Sequence, residues 1–104
     1  MKKLLIIGSK GNLAKCIIEI TNKSKFLIYK ISRNKIDFDK NNSGLLLNKY
    51  LKKIDPDIIV NCVGIFKDNN FSFKSMFNIN TKIAWDLINY YRLKIKKKVK
   101  IILI

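Results

Sequence analysis

A short apolar run that ends in a glycine turn constrains the fold of this chain more than any other feature. Residues 4–7 are apolar, and Gly8, Gly11 and Ala14 follow at intervals of three residues. In a strand–turn–helix unit, the first glycine permits a tight turn and the second lets a phosphate approach the backbone, while the third small residue allows close helix–strand packing. The helix predicted to open by Leu13 provides the required context. An ordinary turn is the plainer alternative.

Apolar runs alternate with segments of helical spacing along the whole chain. The runs cover residues 4–7, 26–31, 58–60 and 99–104. They mostly lack the alternation of apolar and polar residues that marks a strand with one solvent-exposed face. Such runs are typical of a parallel sheet covered on both sides. Three helical stripes lie between them: Leu13, Ile17 and Ile20; Leu47, Leu51 and Ile54; Met76, Ile79, Ile83 and Leu87. The pattern predicts an α/β, Rossmann-like, three-layer fold with a four-stranded parallel sheet.

The chain has the length of one domain. Its 104 residues suffice for one modest core, so residues 1–104 are predicted to form a single unit. The final run, VKIILI, is an apolar strand with nothing after it to cover it. Because long apolar edges are rarely left unprotected, this run favours a fold truncated before a substrate-binding half. An ordinary edge strand is the alternative, and a complementary chain or a homo-oligomer are the candidate protein partners.

The formal charge of +15 would ordinarily indicate a partner such as nucleic acid or an anionic membrane. All but two of the 22 basic residues are lysines, however, and they are spread along a sequence that is also rich in Asn and Ile. We therefore interpret the charge as mostly compositional. Nucleic-acid binding is kept as the less favoured alternative.

The amino terminus and the cysteines bear on the location of the protein. The apolar stretch in MKKLLIIG ends at Gly8, too early for a signal peptide or a membrane span. Cys16 and Cys62 are isolated and lack the spacing of metal ligands. We expect a cytoplasmic protein with reduced thiols, no metal site and no membrane contact.

The glycine turn predicts a site for the diphosphate of a dinucleotide. Gly8, Lys10 and Gly11 would surround the phosphates. The backbone amides of Asn12 and Leu13, at the start of the helix, would add hydrogen bonds and the favourable end of the helix dipole.

The residues after the second apolar run favour one cofactor over another. An acidic side chain there would bind the ribose hydroxyls of NAD, whereas Ser32 and Arg33 are available to a 2′-phosphate. NADP is therefore the favoured cofactor and NAD the alternative. For Arg33, the plainer interpretation is a solvated cation.

With these residues placed, the sequence resembles the N-terminal part of the extended short-chain dehydrogenase/reductase family, and within it the dTDP-4-dehydrorhamnose reductases and related sugar-nucleotide reductases. The resemblance rests on four stretches in the order of the family: GSKGNLA, IDFDKNNSGLLLNKYLKKIDPDIIVNC, NCVG and FNIN. It implies the NAD(P)-binding portion of an oxidoreductase that uses NADPH to reduce a keto group on a nucleotide-linked deoxysugar.

The resemblance also implies roles for individual residues. Asp37 and Phe38 would lie near the adenine, and Asn80 corresponds to the asparagine that supports the catalytic group. The segment at the end of the third strand would run along the cofactor, and it comprises Cys62, Val63 and Gly64. Independently of the family, small residues at a strand end leave room for a ligand, and a polar side chain can bond backbone or water within a site. The plainer alternatives are that Gly64 only turns the chain and that Asn80 only satisfies a local carbonyl.

The catalytic segment of the family is missing from this pattern. Such reductases use a Ser or Thr and a Tyr-x-x-x-Lys pair to protonate the carbonyl. Tyr90 and Lys94 have that spacing, but they precede the last strand, so we expect them to lie far from the ligand-binding edge. No catalytic residue is assigned, and the chain is expected to be inactive alone. A non-catalytic, regulatory dinucleotide-binding domain is the second alternative.

Overall fold

A computed structural model describes residues 1–63, 72–92 and 97–104 of the chain. The elements are strands β1 (Lys2–Ile7), β2 (Phe26–Ile31), β3 (Ile58–Asn61) and β4 (Lys100–Leu103), and helices α1 (Asn12–Ile20), α2 (Ser43–Ile54), α3 (Phe73–Phe77) and α4 (Ile83–Arg92), with a π-helical segment, Asn78–Lys82, between α3 and α4. Within these ranges, no helix is long and apolar enough to cross a membrane.

The four strands form one sheet in the order β2–β1–β3–β4, and every neighbouring pair is parallel. The predicted α/β, Rossmann-like fold with a four-stranded parallel sheet is confirmed. The chain passes from β2 across β1 to β3, so β1 lies between the two strands that follow it. Open α/β sheets bind ligands where the direction of the connections reverses in this way, at the carboxyl ends of the strands. Here that point lies between β1 and β3.

One face of the sheet packs against α2, the π-helical segment and α4. Leu5, Ile7 and Ile59 point to this side, and the second and third predicted helical stripes meet them there. The buried stripe residues are Leu47, Leu51, Ile54, Ile79, Ile83 and Leu87, while Met76 is half-buried. The π-helical turn lies within the third stripe, between the short helix α3 and the longer helix α4.

The opposite face of the sheet packs against α1, and here the predicted stripe is wrong. Leu13 and Ile20 are 49% and 83% exposed. Instead, the fully buried Ala14 contacts the sheet, together with Ile17 and Ile18. The methyl side chain of Ala14 lets the helix axis come close to the sheet. The contacting side of the helix is therefore centred on the smallest side chain rather than on the largest apolar ones.

A polar network ties the strands together at the amino edge of the sheet. The Oδ2 atom of Asp57 accepts a hydrogen bond of 2.7 Å from the backbone N–H of Lys3. The Lys97 ammonium donates to the Asp55 carbonyl at 2.7 Å and lies 3.2 Å from the carboxylates of both Asp55 and Asp57. Hydrogen bonding from the Lys3 backbone, together with the Lys97 charge, lowers the pKa of Asp57 despite partial desolvation. The network thus joins β1, β3 and the segment that enters β4.

This network predicts a loss of stability in acid. Because the pKa of Asp57 is lower in the folded chain than in the unfolded one, its contribution to stability is complete above the unfolded value of about 3.9 and is lost progressively as the pH falls through the lower, folded value. Asp57→Ala should lower the melting temperature by about 5 °C at pH 7 and by much less near pH 3, as measured by circular dichroism. Asp86→Asn, which alters a surface pair with Lys82, is the control and should change little at either pH. An equal loss for Asp57→Ala at both pH values would contradict the charge argument.

Candidate functional site

The turn after β1 is held tightly between the two neighbouring strands. Gly8 has φ +81°, and a Cβ atom built on it would lie 2.7 Å from Cγ2 and 3.0 Å from the backbone nitrogen of Val63. The N–H groups of Gly8 and Ser9 both donate to the Ile31 carbonyl, at 2.8 and 3.3 Å. On the other side, the Cys62 N–H donates to the Ile7 carbonyl at 2.9 Å. Only glycine fits at position 8, because both the backbone angle and the available space exclude a side chain.

Gly11 differs from Gly8 because the chain itself does not require a glycine there. It has an ordinary extended conformation, with φ −71° and ψ 159°, directly before α1. Its N–H donates to the Gly8 carbonyl at 3.2 Å, and its own carbonyl accepts from Lys15 at 3.0 Å. A Cβ on Gly11 would meet only the Gly8 oxygen, at an ordinary contact distance of 3.5 Å. The backbone at Gly11 is therefore open to an outside molecule.

A cleft of about 260 Å³ lies at the carboxyl edge of β1, β2 and β3. It brings together predicted site residues from three separate segments of the chain. These are Gly8, Lys10 and Gly11 after β1; Ser32, Arg33, Asp37 and Phe38 after β2; and Cys62 and Val63 after β3. The predicted residue Gly64 lies outside the described residues.

The loop after β2 forms one wall of the cleft. The Ser32 carbonyl accepts hydrogen bonds from Lys35 and Ile36, which folds the loop back on itself, and Ile36 and Phe38 are buried. The Oδ1 atom of Asp37 accepts from the backbone of Asp39 at 3.0 Å. This wall is therefore apolar at its base, with a carboxylate beside it.

Sequence reasoning missed three residues that line the cleft: Asn34, Ile36 and Ile79. Ile36 carried a signal, since it is an isolated apolar residue in a polar stretch. The sequence pattern predicts Ile79 only as a core residue of the third helical stripe. It belongs to that stripe and also borders the cleft.

The end of β3 forms the opposite wall. Asn61 is buried, and its Oδ1 atom accepts a hydrogen bond of 3.1 Å from the Val63 N–H, which turns the chain toward Gly8. Burial raises the pKa of the Cys62 thiol. The thiol therefore stays protonated at neutral pH and is a poor nucleophile.

Three predicted residues do not line the cleft in the described part of the chain. Asn12 and Leu13 begin α1 directly after Gly11, with exposed side chains, so only their backbone amides remain as predicted contacts. The side chain of Asn80 is exposed in the π-helical segment, and its neighbour Ile79 borders the cleft instead. Successive helical side chains point about 100° apart, so the two cannot share one direction.

The tyrosine with catalytic-like spacing lies elsewhere. The Tyr90 ring is 4.9 Å from that of Tyr91. Burial raises the pKa of Tyr91, with smaller effects from Tyr90 and from Asp55, a residue of the amino-edge network. Both tyrosines stand near the carboxyl end of α4, pack against the core, and are not among the described residues that line the cleft. Lys94 lies outside the described residues.

Among the described residues, two cations, Lys10 and Arg33, and one carboxylate, Asp37, line the cleft. Over residues 1–63, 72–92 and 97–104, the ion pairs are those of Lys82 and Lys97, and they involve neither Lys10 nor Arg33. Both cations border the cleft. An anionic ligand would therefore be attracted to this edge of the sheet.

Comparison with known proteins supports the fold. No family model matches the sequence, and no curated protein matches it. Among solved structures, dTDP-4-dehydrorhamnose reductase from Bacillus anthracis, in complex with NADP, is similar, with 21% identity and a TM-score of 0.73 over 86% of this chain and 32% of that one. GDP-mannoheptose C4 reductase from Campylobacter jejuni, with NADP bound, has 20% identity and a TM-score of 0.72 over 98% of this chain and 32% of that one.

A third similar structure is a short-chain dehydrogenase family protein from Francisella tularensis, with 16% identity and a TM-score of 0.75 over 99% of this chain and 50% of that one. The chain thus spans about a third of the length of the two sugar-nucleotide reductases. At these identities, the comparison shows a shared Rossmann-like fold.

The two glycines of the turn should respond differently to the same substitution. Gly8→Ala places a side chain at positive φ and against Val63, and should destabilise the protein by about 2 kcal/mol, which lowers the melting temperature by about 10 °C. Gly11→Ala meets no crowded atom, and the weaker preference for alanine at the start of α1 should lower the melting temperature by only about 4 °C. Thermal unfolding followed by circular dichroism measures both. Equal destabilisation would show that the turn is not built as described.

Proposed function

We propose that the cleft binds a nicotinamide dinucleotide, NADP in preference to NAD, and that the chain is the cofactor-binding portion of a sugar-nucleotide reductase of the short-chain type. The observation that carries the proposal is the open backbone at Gly11. It stands at the start of α1, beside the tight turn at Gly8, where the sheet connections reverse direction. Helix starts and reversal points of this kind favour phosphate binding.

The diphosphate would lie against the turn after β1. The backbone amides at the start of α1, at Asn12 and Leu13, have no partner inside the helix and would donate to phosphate oxygens. The ammonium group of Lys10, which borders the cleft, would add an attractive charge for the phosphates. The absence of a Cβ at Gly11 would allow the phosphates to approach the backbone closely.

The adenosine end would occupy the wall formed by the loop after β2. Ile36 and Phe38 provide apolar surface at its base. The volume of about 260 Å³ is near the lower limit for ligand pockets, about 300 Å³, so the cleft fits part of a dinucleotide rather than all of it. The backbone beyond Cys62 and Val63 is proposed to continue along the cofactor through Gly64.

The preference for NADP rests on charge at the cleft. Ser32 and Arg33 border it directly after β2, and Arg33 has no acidic partner in the described ranges. The nearest acid of this wall, Asp37, already accepts a backbone hydrogen bond with one of its oxygens. A 2′-phosphate would pair with Arg33, whereas the hydroxyls of NAD would leave that cation without an anion.

A bound nicotinamide would supply hydride transfer, and we assign no catalytic residue of this chain to the accompanying proton transfer. The sugar-nucleotide substrate class is proposed from two similar structures, a dTDP-4-dehydrorhamnose reductase and a GDP-mannoheptose C4 reductase, both with NADP. Because this chain spans about a third of their length, reduction of a nucleotide-linked sugar is proposed for the assembly to which the cleft belongs.

Gly11→Ala, the milder of the two glycine substitutions, should impair cofactor binding. Gly11→Ala should weaken NADPH binding about tenfold, because the added methyl group lies where the diphosphate would approach. Isothermal titration calorimetry measures the change. Gly44→Ala adds the same methyl group in α2, where only the Asp86 carboxylate must shift slightly, and it should bind NADPH as the unmodified chain does. If the unmodified chain binds neither NADPH nor NADH, the proposed function is wrong.

The choice between the two cofactors should depend on Arg33. Arg33→Ala should weaken NADPH binding about tenfold and leave NADH binding nearly unchanged, because only NADPH carries the charged partner. Arg92→Ala, at the exposed end of α4, removes the other arginine and should alter neither affinity. Equal losses for both cofactors would indicate that Arg33 supports the fold of the cleft rather than selecting the 2′-phosphate.

A further inference from the structure

A second cavity, a groove of about 610 Å³, lies on the side of the sheet that carries α1. Of the nine described residues that line it, five are lysines and one is acidic. The lining residues are Ser9, Lys10, Lys15, Ile18, Glu19, Lys23, Lys30, Ser32 and Lys35. Lys10 and Ser32 also border the cleft, so the two cavities adjoin at that point. We refer to this second cavity as the lysine groove.

The lysines of this groove come from different elements and are brought together only by the fold. Lys15 lies on α1, Lys23 in the connection to β2, and Lys30 on β2 itself. Lys30 pairs in register with the fully buried Ile6, on the face of the sheet that contacts α1. The partly buried Ile28 precedes it on the same face. The charged Lys30 therefore follows the apolar Ile28 on this face of β2, and it lines the groove.

The positive charge of the groove is not balanced by neighbouring acids. Among the described residues, the carboxylates that form ion pairs are Asp55, Asp57 and Asp86, and their partners are Lys82 and Lys97. The ammonium of Lys35 donates to the Lys30 carbonyl at 2.8 Å, which directs it along the groove wall without neutralising it. Clustered like charges repel one another, and an anion bound among them would relieve that repulsion.

We propose that the lysine groove binds a linear oligophosphate through ion pairs with Lys15, Lys23 and Lys30. The two serines at its inner end provide hydroxyl donors for the same oxygens. Among the described residues, no aromatic side chain lines the groove, so this part of the chain offers no stacking platform of the kind with which proteins bind the bases of single-stranded nucleic acid. The groove thus recognises phosphates rather than bases. This inference does not depend on dinucleotide binding in the cleft.

The test compares two variants that each lose three positive charges. The groove variant carries Lys15→Gln, Lys23→Gln and Lys30→Gln, which remove three of the five described groove lysines. The α2 variant carries Lys49→Gln, Lys52→Gln and Lys53→Gln, which remove three exposed lysines. Titration calorimetry with inorganic tripolyphosphate at low ionic strength should show binding that is about tenfold weaker for the groove variant. The α2 variant should lose less than about twofold. Binding to the unmodified chain should weaken at about 0.15 M salt, where charges are screened within about 8 Å.

Further measurements keep the result interpretable. Circular dichroism checks that both variants fold. If the triple groove variant does not fold, the single variant Lys15→Gln, on the exposed surface of α1, replaces it and should weaken tripolyphosphate binding about threefold. Equal losses for the groove and α2 variants would overturn the proposal, because diffuse charge would then explain the binding. Tighter binding of a thymidine oligonucleotide with the same number of phosphates would also overturn it, in favour of nucleic acid.

The outcome is separable from that of the proposed function. In the Gly11→Ala background, where the proposed diphosphate site of the cleft is impaired, the groove variant should still bind tripolyphosphate about tenfold more weakly than the α2 variant, because Gly11 borders only the cleft. The triple groove variant keeps Lys10, Ser32 and Arg33. Loss of tripolyphosphate binding together with unchanged NADPH binding therefore identifies the groove as a separate site.

Discussion

The close approach between the carboxyl ends of β1 and β3 is the constraint on which the rest of the structure depends. It leaves no room for a Cβ at Gly8, whose left-handed backbone angle turns the chain out of β1 and toward α1. Hydrogen bonds to the Ile31 carbonyl and from the Cys62 N–H hold the turn from both sides. Because β1 is central in the sheet, this one turn sets the direction of α1, the floor of the cleft and the exposure of the Gly11 backbone.

Charge is distributed unevenly between the two edges of the sheet. At the amino edge, Asp55 and Asp57 pair with Lys97, and these contacts lock the strands together. At the carboxyl edge, Lys10 and Arg33 border a cleft that Asp37 also lines, and neither cation forms an ion pair in the described part of the chain. Few acids are available in a chain of this composition, and the fold places two of them where they stabilise strands. Cations without an ion pair in the described ranges therefore border both the cleft and the lysine groove.

The fold was largely predictable because its signals are local. Buried parallel strands read as short apolar runs, and the stripes of α2 and the third helical region recur at helical spacing. The stripe of α1 was wrong because spacing alone ranks Leu13 above Ala14, whereas packing against a sheet favours the smaller residue. The π-helical turn also escaped prediction, since an extra residue in a helical turn leaves no clear mark in an apolar pattern. Most of the cleft was anticipated from the residues that directly follow each strand.

By itself, the sequence determined where the strands lie, that a glycine must stand at the first turn, and which polar residues follow β2. Only the tertiary structure decided that Ile36 and Ile79 border the cleft while Asn80 does not, and that lysines from α1, β2 and the connections beside them share one groove. The physical reason is that secondary structure follows from neighbours along the chain. Which side chains meet at an edge depends on strand order, register and helix rotation, and these are set by contacts between residues far apart in sequence.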